Sequence, residues 1–301
     1  MSGISEDADT QGELVSFTTA DDVRLHGALY TNSRVPSHDI AVIGTHGSGA
    51  SFYTSVTGFL CPALPSHGYT ALSMNMRSHD RFNAQVTFEG CEQDFAAGVK
   101  FMREQGFKHI VLFGHSFSVT QIAYFMAQAQ EPAVVGLALS AGHDDLRSLA
   151  ALAWETLVDD PKAEAERVLA QCRELVAQGD GDRLIIIPWW RPDPKLNLRQ
   201  QYREISAQTY VSNWAPESNC NASLWISQIE VPMLFIAHSV VDTTARPEMM
   251  QRLRELATKA RSTEYVNIEG SGHFYVGYQD QFIGAVAGWL EGPRNQGAAY
   301  G

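Results

Sequence analysis

Short continuous apolar runs alternate with longer stretches of helical spacing along most of the chain. Residues 14–19 and 24–30 read as two strands, and Asp21-Asp22 between them marks a hairpin turn. Ile40–Thr45 is a short run rich in β-branched residues that stops at His46-Gly47-Ser48-Gly49, a loop signal. Residues 56–66 follow as a helix and 69–74 as a strand. Across residues 89–105, Phe95, Val99 and Met102 recur at the spacing of one helix face. Residues 109–113 read as a buried strand, 116–130 as a helix and 133–140 as a second buried strand.

Continuous apolar strands separated by helices predict an α/β fold, with a mostly parallel sheet covered on both faces. After Ser140 the rhythm breaks. A helical stretch over 146–178 is interrupted at Asp159-Asp160-Pro161, a Trp/Pro-rich segment spans 187–194, and another helix is predicted over 198–212. The strand–helix rhythm resumes at 231–237, 247–260, 263–268 and 274–290. The pattern predicts one α/β core made of residues 14–141 and 229–291. A mostly helical insertion, residues 142–228, interrupts it, and residues 1–13 and 292–301 are expected to be flexible tails.

Charge narrows the partners. The 301-residue chain has 22 basic and 34 acidic residues, a net −12, which disfavours nucleic acid and anionic membranes. The strongest apolar run, residues 184–190, contains a proline and is far shorter than a membrane span. The polar N-terminus lacks the pattern of a secretory signal. Cys61, Cys91, Cys172 and Cys220 lie far apart with no CxxC pair, as expected for reduced thiols, so a cytoplasmic location is expected. No H-E-x-x-H, G-x-G-x-x-G or P-loop motif occurs, so neither a metal nor an organic cofactor is expected. Homo-oligomerisation stays open.

Gly114-His115-Ser116-Phe117-Ser118 sits between a predicted strand and a predicted helix, the context of a nucleophile elbow. Small residues two before and two after the serine allow the sharp turn; Ser118 stands where a glycine is usual. Asp242 follows the strand at 231–237, and His273 follows the strand at 263–268 inside Gly270-Ser271-Gly272-His273-Phe274. Nucleophile, acid and histidine therefore come in that order, at the C-terminal ends of successive strands. A serine hydroxyl needs a base to become nucleophilic near neutral pH. His273 suits the base and Asp242 the group that orients it. Asp144 and Asp145, after residues 133–140, are the alternative acids. Asp94 and Glu269 read as ordinary surface charges.

These residues resemble the α/β-hydrolase superfamily, in a form carrying a cap. The likeness spans about residues 14–290 and rests on His46-Gly47, the elbow at Ser116, Asp242 and His273. It implies an α/β-hydrolase fold with 142–228 as the cap. It also implies Ser116 as nucleophile, His273 as base, Asp242 as acid, and backbone N–H groups of Phe117 and Ser48, or Gly47, as the oxyanion hole. Residues 75–81, Asn-Met-Arg-Ser-His-Asp-Arg, keep only the arginine of the D-x-R-G-x-G-x-S segment many members carry. A haloalkane dehalogenase would need a carboxylate at the elbow and is excluded.

The insertion carries Trp154, Trp189, Trp190 and Trp214, aromatic residues suited to roofing an apolar pocket. Phe52 and Tyr53, beside the glycine loop, are further pocket candidates. Arg191, Arg199 and Arg203 suit an anionic substrate group or a solvated helix face. The expected activity is hydrolysis of an ester or thioester of a small to medium acyl substrate through an acyl-enzyme on Ser116. Carbon–carbon bond hydrolysis, biosynthetic acyl transfer or cyclisation on the same triad, and a non-catalytic ligand-binding role are the alternatives.

Overall fold

The computed structural model describes residues 9–146, 158–188, 202–240 and 246–297. β1 (Thr10–Thr18) and β2 (Arg24–Asn32) form an antiparallel hairpin. They extend a sheet made with β3 (Ile40–Thr45), β4 (Ala71–Met74), β5 (His109–His115), β6 (Val134–Ser140), β9 (Met233–His238) and β10 (Thr263–Ile268). The order is β1-β2-β4-β3-β5-β6-β9-β10, parallel from β4 onward. Every residue of β3, β4 and β9 is buried, which is why these runs show no polar alternation.

Alternate residues of each strand serve opposite faces. Ile40, Val42, Val111 and Phe113 pack against α1 (Ser55–Ala63) and α7 (Gln279–Gly297). Ala41, Ile43 and Leu112 face α2 (Cys91–Glu104), α3 (Phe117–Ala129) and α6 (Pro247–Leu256). No helix among the described residues is long and apolar enough to cross a membrane. The four cysteines are free and buried: Cys61 under the first face, Cys91 and Cys220 under the second, Cys172 in the insertion.

The ends of the core differ from expectation. β1 starts at Thr10, before residue 14, because its first residues pair through the backbone while Gln11, Gly12 and Glu13 stay exposed. α7 runs on to Gly297, past residue 291, with Pro293 buried near Gly136.

The insertion holds α4 (Pro161–Ala177), β7 (Leu184–Pro188), β8 (Tyr202–Ser206) and α5 (Ala207–Trp214). The helix predicted over 198–212 is therefore a strand across Tyr202–Ser206. β8 pairs antiparallel with β7, setting Ile205 opposite Ile185, both buried. Ser206 then caps α5 by accepting the Thr209 N–H. Val168, Cys172, Ile187 and Tyr210 join them in a small core of the insertion's own. Polar ties fasten it to the sheet domain. Ser212 Oγ accepts the Phe88 N–H at 2.7 Å, and Glu89 accepts from Ser212 Oγ at 2.9 Å and Asn219 Nδ2 at 3.0 Å.

Asp94 is no surface charge. It is buried at the start of α2, where the Arg77 N–H and Nε each donate to it at 2.8 Å. The other edge of the Arg77 guanidinium grips Asp21 in the hairpin turn at 2.8 and 2.9 Å. Burial raises the Asp94 carboxyl to about 6 against the pull of Arg77. Glu269 is exposed, as expected. Removing one member of a buried ion pair strands the other. Arg77→Met should cost about 3–5 kcal/mol in urea denaturation at pH 8. The loss should shrink towards pH 5, where the stranded carboxyl takes up a proton.

Candidate active site

β5 ends at His115 and α3 begins at Phe117. Ser116 between them is held at φ 58°, ψ −119°, backbone geometry that residues with side chains rarely adopt. Its N–H donates to Ser140 O at 2.9 Å, and its carbonyl accepts the Val119 N–H at 3.0 Å. Gly114 keeps the turn uncrowded: a Cβ there would stand 2.6 Å from Ile122 Cδ1 and 3.2 Å from the Ser118 backbone. Ser118, in place of the second glycine, is buried and hydrogen-bonds Thr45 Oγ1, which donates to Phe113 O at 3.0 Å. The extra hydroxyl thus stitches α3 to β3 and β5.

Ser116 Oγ lies 3.2 Å from His273 Nε2, although 157 residues separate them in the chain. His273 is 3% exposed, on the loop after β10. Ser271 O accepts the N–H groups of Ser239 and Val240 at 3.2 and 3.0 Å, and Tyr275 donates its phenolic proton to Ile236 O at 3.1 Å. The loops after β9 and β10 are therefore tied together. Asp242, two residues beyond Val240, lies outside the described residues. Of the alternative acids, Asp144 has its carboxylate engaged by Arg252 Nη1 and the Asp145 N–H, each at 2.9 Å.

The glycine loop closes over the elbow from β3. A Cβ on Gly47 would meet Ser116 Cβ at 2.9 Å, so only glycine lets this backbone approach the serine. His46 holds the loop from beneath: its Nδ1–H donates to Gly47 O at 2.8 Å and its Nε2 accepts the Met76 N–H at 3.1 Å. Burial holds its pKa down to about 4, so it is neutral at neutral pH. Phe117, first in α3, carries an N–H that the helix ladder leaves unused. Ser48 Oγ accepts from Asn83 Nδ2 at 2.9 Å.

A narrow cavity of about 100 Å³ opens onto Ser116 and His273. Gly47, Ser48, Phe117 and Trp214 line it. Phe52 and Tyr53 do not line it. The Phe52 backbone is drawn to Asn75 and Ser73, its ring meets Tyr53 edge-on, and Tyr53 is 61% exposed. Trp154, Trp189 and Trp190, with Arg191 and Arg199, lie outside the described residues. Ser55, Asn83, His115, His143 and Asn213 also line the cavity and were missed; only His115, inside the elbow motif, carried a signal. Its Nδ1 bonds Ser140 Oγ at 3.1 Å, and its ring lies 4.8 Å from that of His273. Burial, then charge on the neighbouring histidines, holds His115 well below the usual range.

A profile of the alpha/beta hydrolase family matches residues 42–285. The chain belongs to this family. Solved structures repeat the fold at low identity. Hypothetical protein PA2218 of Pseudomonas aeruginosa is 14% identical with a TM-score of 0.71, covering 95% of this chain and 94% of its own. The esterase Pf2001 of Pyrococcus furiosus is 16% identical with a TM-score of 0.65, covering 97% and 94%. Est1E of Butyrivibrio proteoclasticus is 14% identical with a TM-score of 0.64, covering 92% and 97%. No curated protein matches the chain by sequence.

In this alpha/beta hydrolase, His46 links folding to pH. The unfolded chain protonates it near pH 6.5, the folded one only near 4. Stability from this residue is thus complete above about pH 6.5 and lost as pH falls towards 4, by about 3 kcal/mol. Urea midpoints should fall with decreasing pH across that window, and His46→Gln should flatten the slope. An unchanged slope would remove His46 as its source.

Proposed function

We propose that this hydrolase cleaves an ester or thioester of a small to medium acyl substrate through an acyl-enzyme on Ser116. The observation that carries this reading is the 3.2 Å approach of His273 Nε2 to a serine hydroxyl displayed on a strained strand-to-helix turn. His273 takes the Ser116 proton as Oγ adds to the carbonyl carbon, then returns it to the departing alcohol or thiol. Water repeats the sequence on the acyl-enzyme and frees the acid. Backbone N–H groups of Phe117 and of Ser48 or Gly47 meet the oxyanion of each tetrahedral intermediate, and the α3 dipole adds to them.

Asp242 fits the role of orienting His273, since the loop leading to it is bonded to Ser271. A neutral His115 matters for the same reason. A second positive charge 4.8 Å from the base would oppose formation of the imidazolium. The esterase neighbours from Pyrococcus furiosus and Butyrivibrio proteoclasticus accord with ester cleavage.

Ser116→Ala should lower kcat/KM for 4-nitrophenyl butyrate by about 10⁴-fold or more, and Asp242→Asn by roughly 10³–10⁴-fold. A fluorophosphonate probe should label the wild-type protein at Ser116, as read by peptide mass spectrometry. Undiminished turnover in Ser116→Ala, or labelling at another residue alone, would refute the proposal.

A further inference from the structure

The cavity over Ser116 is small, and its wall is mostly apolar. Among the described residues, Ala50, Phe117, Leu146, Trp214 and Phe274 supply that wall. Arg203 is on the cavity too, but its guanidinium is engaged by Asn83 Oδ1 at 2.7 Å and Glu204 O at 3.3 Å. Such surroundings suit an uncharged hydrocarbon group. Pockets for drug-sized ligands run to about 300–1,000 Å³, and an apolar cavity of about 150 Å³ takes one benzene ring. The cavity here is about 100 Å³, which on the same scale is room for about four carbon atoms.

The wall that confines it is rigid. Trp214 ends α5, one turn after Tyr210, and the two rings stack at 5.4 Å. Tyr210 is buried in the insertion's own core, and Trp214 packs against both that core and the one under the second face of the sheet. An indole held from two sides cannot swing aside without breaking packing in both clusters. Leu146 is buried in the same sheet-side core, and Phe117 meets Phe88 edge-on at 6.0 Å. Phe274 differs from these. It is 44% exposed and stands edge-on to His273 at 4.8 Å, so it marks the open side. One end of an ester can extend past Phe274 into solvent, while the other meets Trp214.

We propose that Trp214 sets an upper limit of about four carbons on the acyl group that Ser116 accepts; this rests on the hydrolase reading above. Each methylene that fits inside gains apolar burial worth roughly fourfold in binding. The first that does not fit must push against an aromatic ring already packed on its far side. The insertion is thus the element that decides chain length, while the sheet domain supplies the nucleophile and the base.

4-Nitrophenyl acetate, butyrate, hexanoate and octanoate, each below its solubility limit, test this with one leaving group. In the wild type kcat/KM should peak at four carbons or fewer and fall by roughly tenfold or more from butyrate to octanoate. Trp214→Ala should raise the octanoate-to-butyrate ratio by roughly tenfold or more, and Trp214→Phe should raise it less. A tryptophan that only supported the fold would lower all four rates together and leave that ratio unchanged. A wild-type rate that holds or rises out to octanoate, or a ratio that neither Trp214 variant moves, would overturn the proposal. The Phe variant carries the same test where the Ala variant fails to fold. Ligand-observed NMR titration of Ser116→Ala protein with methyl butyrate and methyl octanoate separates the two readings. If wild type turns over none of the four esters, the hydrolase reading falls. The size limit then stands only if Ser116→Ala binds methyl butyrate more tightly than methyl octanoate and adding Trp214→Ala reverses that order.

Discussion

At Ser116 the backbone is bent to a positive φ that a residue with a side chain reaches only at a cost of about 1–3 kcal/mol. The surroundings offset that cost from every side. Ser140 and Val119 take up the serine's own N–H and carbonyl, Ser118 bonds down to Thr45, and Gly114 and Gly47 leave room where an added Cβ would crowd the turn. The result is a hydroxyl held above the strand ends, clear of its own helix and facing the loops after β9 and β10. Relaxing the turn would point that hydroxyl elsewhere, so the bent backbone and the meeting with His273 are one constraint.

Charge is distributed to protect this arrangement. His46 and His115 are both buried near the serine and both held in the neutral form, so each can accept a hydrogen bond at one ring nitrogen and donate at the other. Permanent charges are kept where partners meet them. Arg77 satisfies Asp94 and Asp21 and so ties the segment after β4 to the hairpin and to α2, while Arg203 stands on the cavity wall beside Asn83.

The sheet was legible because its central strands are short apolar runs between loops: Ile40–Thr45 and Thr263–Ile268 match expectation to the residue. β8 was not. Tyr202–Ser206 buries little beyond Ile205 and Ser206, and its conformation depends on β7, which no local pattern reveals. Asp94 shows the same limit for a charge, since its burial follows from an arginine seventeen positions away. For the site, motif and chain order brought Ser116 and His273 forward, and the structure brings their side chains together. Nearness in sequence misled for Phe52 and Tyr53, because residues after a glycine turn can face either way. Ser55, Asn83 and Asn213 reach the cavity only through tertiary packing, as lone polar residues with no motif around them.

The four thiols add a consequence for how the molecule can be followed in solution. Burial pushes Cys61 up to about 12 and Cys172 up to about 11, and holds Cys91 and Cys220 well above the ordinary range, so the native protein presents no thiolate to an alkylating reagent. Each apolar cluster holds at least one of them, and Cys172 belongs to the insertion alone. The cysteines therefore act as built-in clocks: the order in which they become modifiable reports which layer of the molecule opens first.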